Sequence, residues 1–189
     1  MTIGILALQG DFSLHSKILN KLNINNILVR KEEDFDNING LIIPGGESTV
    51  LSLLIEKFNL FKKIKNFSKK NCVYGTCAGA ILMSEKCDDK KIKTLKLINI
   101  MSFRNFYGRQ INSFTKNINI NFLKNKISVS FIRAPKLNCL SNDLDVLGKV
   151  DSNPVLIKKN NILVSSFHPE LTSNTEVHKY FINMVKENV

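Results

Sequence analysis

The strongest constraint on this chain is a rhythm in its first half. Short apolar runs stop at turn-forming residues, and stretches with helical spacing follow. Ile3–Leu8 is closed by Gln9-Gly10-Asp11, after which Leu14, Ile18, Leu19 and Leu22 keep a helical period. Ile27–Val29 reads as a second strand. Gly40–Ile43 is a third, stopped by Pro44-Gly45-Gly46. Ser48 is the expected cap of a helix carrying Val50, Leu51, Leu53, Leu54 and Phe58, and Phe61, Ile64 and Phe67 suggest another helical stretch. Cys72–Tyr74 is a fourth strand and Ala78–Ser84 a helix. Strands that are apolar throughout and alternate with helices indicate a parallel sheet covered on both faces, an α/β fold.

The second half is richer in strands: Leu95–Ile100, Phe114–Ile120, Ile127–Ile132, Asp145–Val150, Val155–Ile157 and Ile162–Phe167, closed by a helix over Asn174–Lys186. The basic stretch Lys86–Lys96 reads as a solvated loop. The 189 residues carry no linker, repeat or low-complexity segment and are expected to form one domain, 1–189.

Composition excludes several classes. No apolar run is long enough to span a membrane. The N-terminus has neither a basic n-region nor a small-residue cleavage site. The four cysteines, Cys72, Cys77, Cys87 and Cys139, show no C-x-x-C spacing, so reduced thiols in a cytoplasmic setting are expected. The net charge of +11 raises nucleic acid as a partner. However, the basic residues are mostly scattered Lys, Arg being confined to Arg30, Arg104, Arg109 and Arg133, and no basic helix is interleaved with aromatics. No nucleic acid and no membrane are expected as partners.

Gly75-Thr76-Cys77-Ala78-Gly79 has the form G-x-C-x-G between a strand and a helix. On such an elbow a nucleophile stands at the carboxyl end of a strand. The next amide, Ala78, is placed as an oxyanion donor, and the helix N-terminus favours a thiolate. A small buried thiol between convenient glycines is the alternative. Cys72, inside the strand, reads as structural. Of the three histidines, His15 and His178 lie on helices and read as half-exposed. His168 instead follows an apolar run and precedes Pro169-Glu170. It would share the sheet edge with Cys77, and Glu170 is close enough to orient its ring. Pro44-Gly45-Gly46-Glu47-Ser48 also ends a strand and offers backbone amides to a substrate.

Together "PGGES", "GTCAG" and "FHPE" resemble the triad-type (class I) glutamine amidotransferases. "RNFYGRQ" (104–110) followed by Ser113-Phe114, "FIRAP" (131–135), "GILALQGDFSLH" and "FHPELT" narrow the resemblance to the glutaminase subunit of pyridoxal 5'-phosphate synthase, the PdxT/SNO family. The resemblance implies a flavodoxin-like three-layer sandwich and hydrolysis of L-glutamine to glutamate and ammonia. It implies Cys77, His168 and Glu170 as the triad, and Gly46, Glu47, Ser48, Arg104, Ile132 and Arg133 as glutamine contacts. Oxyanion donors are implied at Ala78 and at an amide of Gly45 or Gly46. Amide hydrolysis by a thiolate and an imidazole needs no metal or organic cofactor, and none is expected. The resemblance implies a barrel-type synthase subunit as partner in a large hetero-oligomer. A glutaminase of another pathway, such as histidine synthesis, is the alternative; a catalytically silent docking module is another.

Overall fold

The computed structural model describes residues 1–107 and 114–188. In chain order its elements are β1 (Thr2–Leu6), α1 (Phe12–Lys21), β2 (Asn25–Val29), β3 (Gly40–Ile43), α2 (Ser48–Lys57), α3 (Leu60–Ser68), β4 (Cys72–Thr76) and α4 (Ala78–Met83). There follow β5 (Ser84–Cys87), β6 (Ile98–Phe103), β7 (Phe114–Ile118), β8 (Ile127–Phe131), β9 (Lys136–Cys139), β10 (Asp145–Val150), β11 (Asn153–Lys159), β12 (Ile162–Ser165) and α5 (Glu176–Asn188). A seven-stranded sheet runs β2-β1-β3-β4-β12-β11-β10. Its first five strands are parallel, and β11 and β10 extend it antiparallel. With β12 counted as the fifth parallel strand, the order is the 2-1-3-4-5 of flavodoxin-like sheets.

Side chains of the central strands alternate between two cores, as the two-residue period of a strand requires. Leu41, Ile43 and Val73 face a core that includes Leu51 and Ile55 of α2, Leu60 and Ile64 of α3 and Ile81 of α4. Ile42, Cys72 and Tyr74 face the other, with Leu19 of α1, Phe181 and Val185 of α5, and Val129 and Phe131 of β8. The doubly covered parallel sheet is as expected.

The strand-rich half differs in detail. The strand expected over Leu95–Ile100 begins at Ile98, because the Leu95 and Leu97 amides donate to the carbonyls of Leu82 and Met83 at 2.6 and 2.9 Å. Lys86–Lys96 is not wholly a solvated loop. Lys86 and Cys87 lie in β5, and Ile92 and Leu95 are buried. Ser48 is the first residue of α2 and Glu47 takes the cap position. β5, β9 and a short 3-10 helix over Glu32–Asn37 were not expected; each is brief and buries few side chains.

Candidate active site

Three neighbouring strands of the sheet, β3, β4 and β12, end on the same edge. Ile43 pairs with Gly75 and Ser165 with Thr76. The loops that follow therefore stand side by side: Pro44–Ser48 after β3, Cys77 after β4, and Ser166–Glu170 after β12. This is the edge at which open α/β sheets bind ligands.

Cys77 holds φ 46° and ψ −102°. For a residue with a Cβ that positive φ is strained, and strain of this kind gathers at functional turns. Two contacts hold it. The Cys77 N–H donates to the Ser165 carbonyl at 2.8 Å, and its thiol points to the Ile132 carbonyl at 3.8 Å. Gly79 lets α4 approach β3, since a Cβ there would collide with the Ile43 carbonyl. Ala78 opens α4, where first-turn amides have no intrahelical acceptor.

His168 is buried, and its N–H donates to the Ser130 carbonyl of β8 at 2.9 Å. Pro169 begins a 3-10 turn that brings Glu170 back beneath the ring. The His168 Nδ1–H donates to Glu170 Oε1 at 2.6 Å, a distance typical of a charge-assisted bond. Burial alone would push the His168 imidazole down. The charge and hydrogen bond of Cys77, and then those of Glu170, outweigh it and hold the ring well above the usual histidine range. Gly45 lies flat against this ring, and a Cβ there would strike Cε1.

The space in front of Cys77 is a cavity of about 240 Å³. Gly46, Glu47, Ser48, Arg104, Ile132, Arg133 and His168 all line it, so these expected site residues converge. Glu47 is the hub. Its Oε1 accepts from Arg104 Nη2 at 2.8 Å and from Thr49 Oγ1 at 2.9 Å, and Arg133 Nη1 lies 3.6 Å from Oε2. Arg104 also bonds Asp89. Gly108, Arg109 and Gln110 of the "RNFYGRQ" stretch, and Ser113, lie outside the described residues.

Sequence reasoning missed Gln9 and Asp11, which also line the cavity. Gln9 Oε1 accepts the Glu47 N–H at 2.9 Å, and the Asp11 N–H donates to the Gly45 carbonyl at 3.0 Å, so the turn after β1 props the glycine loop. The strand-end rule applied elsewhere covers this turn as well.

The reading of His15 and His178 as half-exposed is wrong: both are fully buried. The signal was present. His15, Ile18, Leu19 and Leu22 form one i, i+3, i+4, i+7 stripe, and so do His178, Phe181, Ile182 and Val185. Each histidine occupies a core position of its helix.

Asp11, His168 and Glu170 place one potential metal-ligand atom each within 4.8 Å of one another. Two of the three already bond each other, and that pair explains the cluster. Among the described residues no helix is long and apolar enough to cross a membrane.

Residues 5–187 match the SNO glutamine amidotransferase family. A relative from Francisella philomiragia named pyridoxal 5'-phosphate synthase subunit PdxT is 48% identical over 97% of this chain and 99% of its own. One of the same name from Thermosipho africanus is 43% identical over 99% of this chain and 100% of its own. A crystal structure of a glutamine amidotransferase superposes with TM-score 0.92 at 34% identity, over 97% of this chain and 98% of that one. PurLQS from Thermotoga maritima shares the fold alone, with TM-score 0.68 at 12% identity over 99% of this chain and 95% of that one. A G-x-C-x-G elbow backed by a buried His–Glu pair, in a chain matched end to end by these relatives, leaves one assignment: the chain belongs to the SNO glutamine amidotransferase family.

Proposed function

We propose that this protein is a glutaminase that hydrolyses L-glutamine to L-glutamate and ammonia. The ammonia serves a barrel-type synthase subunit that builds pyridoxal 5'-phosphate. The observation that carries the reading is Cys77 on its strained elbow beside an imidazole held protonated by Cys77 itself and by Glu170. The name shared by relatives up to 48% identical supports the pathway over histidine synthesis.

The chemistry follows from the positions. The Cys77 thiolate attacks the side-chain amide carbon, and the new oxyanion is met by amides at Ala78 and at Gly45 or Gly46. His168 gives its proton to the departing nitrogen, so ammonia leaves instead of an amide anion. The thioester that remains is cleaved by water, with His168 now taking the water's proton and Glu170 keeping the ring in place. Glu47 suits the α-ammonium of glutamine, while Arg104, Arg133 and the Ile132 backbone frame its α-carboxylate end. None of these steps calls on a metal or an organic cofactor. The chain works as one glutamine amidotransferase domain, in the cytoplasm, docked in a large hetero-oligomer, and not on nucleic acid or membrane.

The test is a glutaminase assay on the protein mixed with its synthase subunit. Glutamate release by wild type and none by Cys77→Ala is expected. Full turnover by Cys77→Ala would overturn the mechanism. Turnover indifferent to the synthase subunit would overturn the assignment of partner.

A further inference from the structure

Behind the His168–Glu170 pair lies a second polar chain that the triad chemistry does not use. His15 of α1 and His178 of α5 meet beneath β4, with His15 Nδ1 2.9 Å from His178 Nε2. The other nitrogen of His15, Nε2, is 3.3 Å from Thr76 Oγ1 and 3.6 Å from Glu170 Oε2. Among the described residues Glu170 Oε2, which is buried, has no hydrogen-bond partner of its own, and neither has His178 Nδ1. Two imidazoles in a buried core are costly to keep unless their protons are well placed.

Only one proton arrangement suits all of these contacts. If His15 carried its proton on Nδ1, its bare Nε2 lone pair would face the carboxylate oxygen, and His178 would point an unpaired N–H into the apolar core. With the proton on Nε2, the N–H dipole faces Thr76 Oγ1 and Glu170 Oε2. His15 Nδ1 then accepts from the His178 Nε2–H, and only a bare nitrogen of His178 is left without a partner. Burial, and then the neighbouring His178 and His168, keep His15 well below the usual histidine range, and burial lowers His178 to about 4, so both rings are neutral.

We infer that His15 is a positioning residue of the triad, acting through Glu170. Its Nε2–H, locked in that tautomer by His178, faces the second carboxylate oxygen and fixes the rotation that presents Oε1 to His168. The inference goes beyond the proposed glutaminase reading and rests on it for the kinetic part alone. A carboxylate with one oxygen bonded can swing about that bond, and an N–H dipole facing the other oxygen at 3.6 Å disfavours the swing without adding a competing charge. Support of this kind acts on geometry during turnover, so its loss falls on kcat more than on KM.

The first test needs no variant. With only three histidines in the chain, ¹⁵N-histidine labelling and long-range ¹H–¹⁵N correlation spectra of the wild-type protein resolve each ring. His15 and His178 are both expected as the neutral Nε2–H tautomer at pH 7. A proton on His15 Nδ1 would overturn the inference. The second test measures glutamine hydrolysis in the complex with the synthase subunit. His15→Leu is expected to lower kcat by about tenfold or more, from the loss of an N–H dipole facing the buried carboxylate, with KM within about twofold. His15→Gln, which keeps an N–H donor, recovers most of that loss. His15→Leu turning over as wild type, or His15→Gln as slow as His15→Leu, would overturn the inference. Inactive wild type would instead count against the glutaminase reading and leave the tautomer result standing.

Discussion

The backbone N–H of Cys77 donates to the carbonyl of Ser165 at 2.8 Å. This bond continues the parallel ladder of β4 with β12 by one residue, and His168 follows Ser165 by only three. The proposed nucleophile and its base are thus held by adjacent strand ends rather than by two independent loops. Sheet register sets their separation, and a slip of one residue would turn the side chains to the opposite face.

Cysteine reactivity should divide by position. At neutral pH an electrophilic glutamine analogue is expected to label Cys77 and spare Cys72. The Cys72 thiol is almost fully buried, donates to the Met184 carbonyl at 3.4 Å, and burial raises it to about 11. Mass-spectrometric mapping of the labelled peptides checks this. Labelling of Cys72 at a rate comparable to that of Cys77 would contradict it.

Gly45→Ala places a methyl group against the His168 ring. The ring can escape only by moving off its line with Cys77. We expect kcat to fall by roughly 100-fold, the scale of about 1 Å of misplacement, while the melting temperature shifts little. Paired kinetics and thermal melts separate this from general unfolding.

Gly79→Ala behaves in the opposite way. Its methyl group would meet the Ile43 carbonyl, a backbone atom that cannot rotate aside. Destabilisation of about 1–3 kcal/mol is expected, read as a lower urea midpoint at unchanged slope.

Arg104→Lys keeps the charge but loses the planar fork that bonds both Glu47 and Asp89. KM for glutamine should rise by about tenfold with a smaller change in kcat, because the loss falls on binding rather than on the chemical step. An unchanged KM would remove Arg104 from the glutamine site.

Stability should fall on acidification below neutrality. His178 is lowered to about 4 by burial from its ordinary 6.5, and His15 is also pushed down. Between about 4 and 6.5 the unfolded chain therefore binds more protons than the folded one, and stability rises with pH through that window. For His178 alone the full span corresponds to roughly 3 kcal/mol. His168 works in the other direction. Its stabilising effect is complete below 6.5 and is lost as pH rises through its elevated value. Urea midpoints at pH 5, 7 and 9 check both limbs, with a maximum expected near neutrality.

Much of the fold and most of the candidate site are legible in the sequence, for one physical reason. A parallel strand buried on both faces must be apolar throughout, so its end is abrupt, and "PGGES", "GTCAG" and "FHPE" each begin where a run stops. β5 and β9 escape notice because Ser84–Cys87 and Lys136–Cys139 bury few side chains and are held by pairing to β6. His15 and His178 were misread from residue type, although their phase in the helical stripe placed them inside. Arg104 and Arg133 were expected at the glutamine site, but their shared grip on Glu47 could not be read from spacing, since Glu47 and Arg104 are 57 residues apart.

The position of β12 in the sheet also bears on when the protein becomes reactive. This strand is the last of the sheet to be synthesised, yet it inserts at the middle, between β4 and β11. A nascent chain that has emerged only as far as β11 already carries the Cys77 segment, but neither the Ser165 carbonyl that anchors it nor His168, the base proposed for it. The thiol therefore meets its proposed partners only at the final insertion, after every other strand of the sheet has been made.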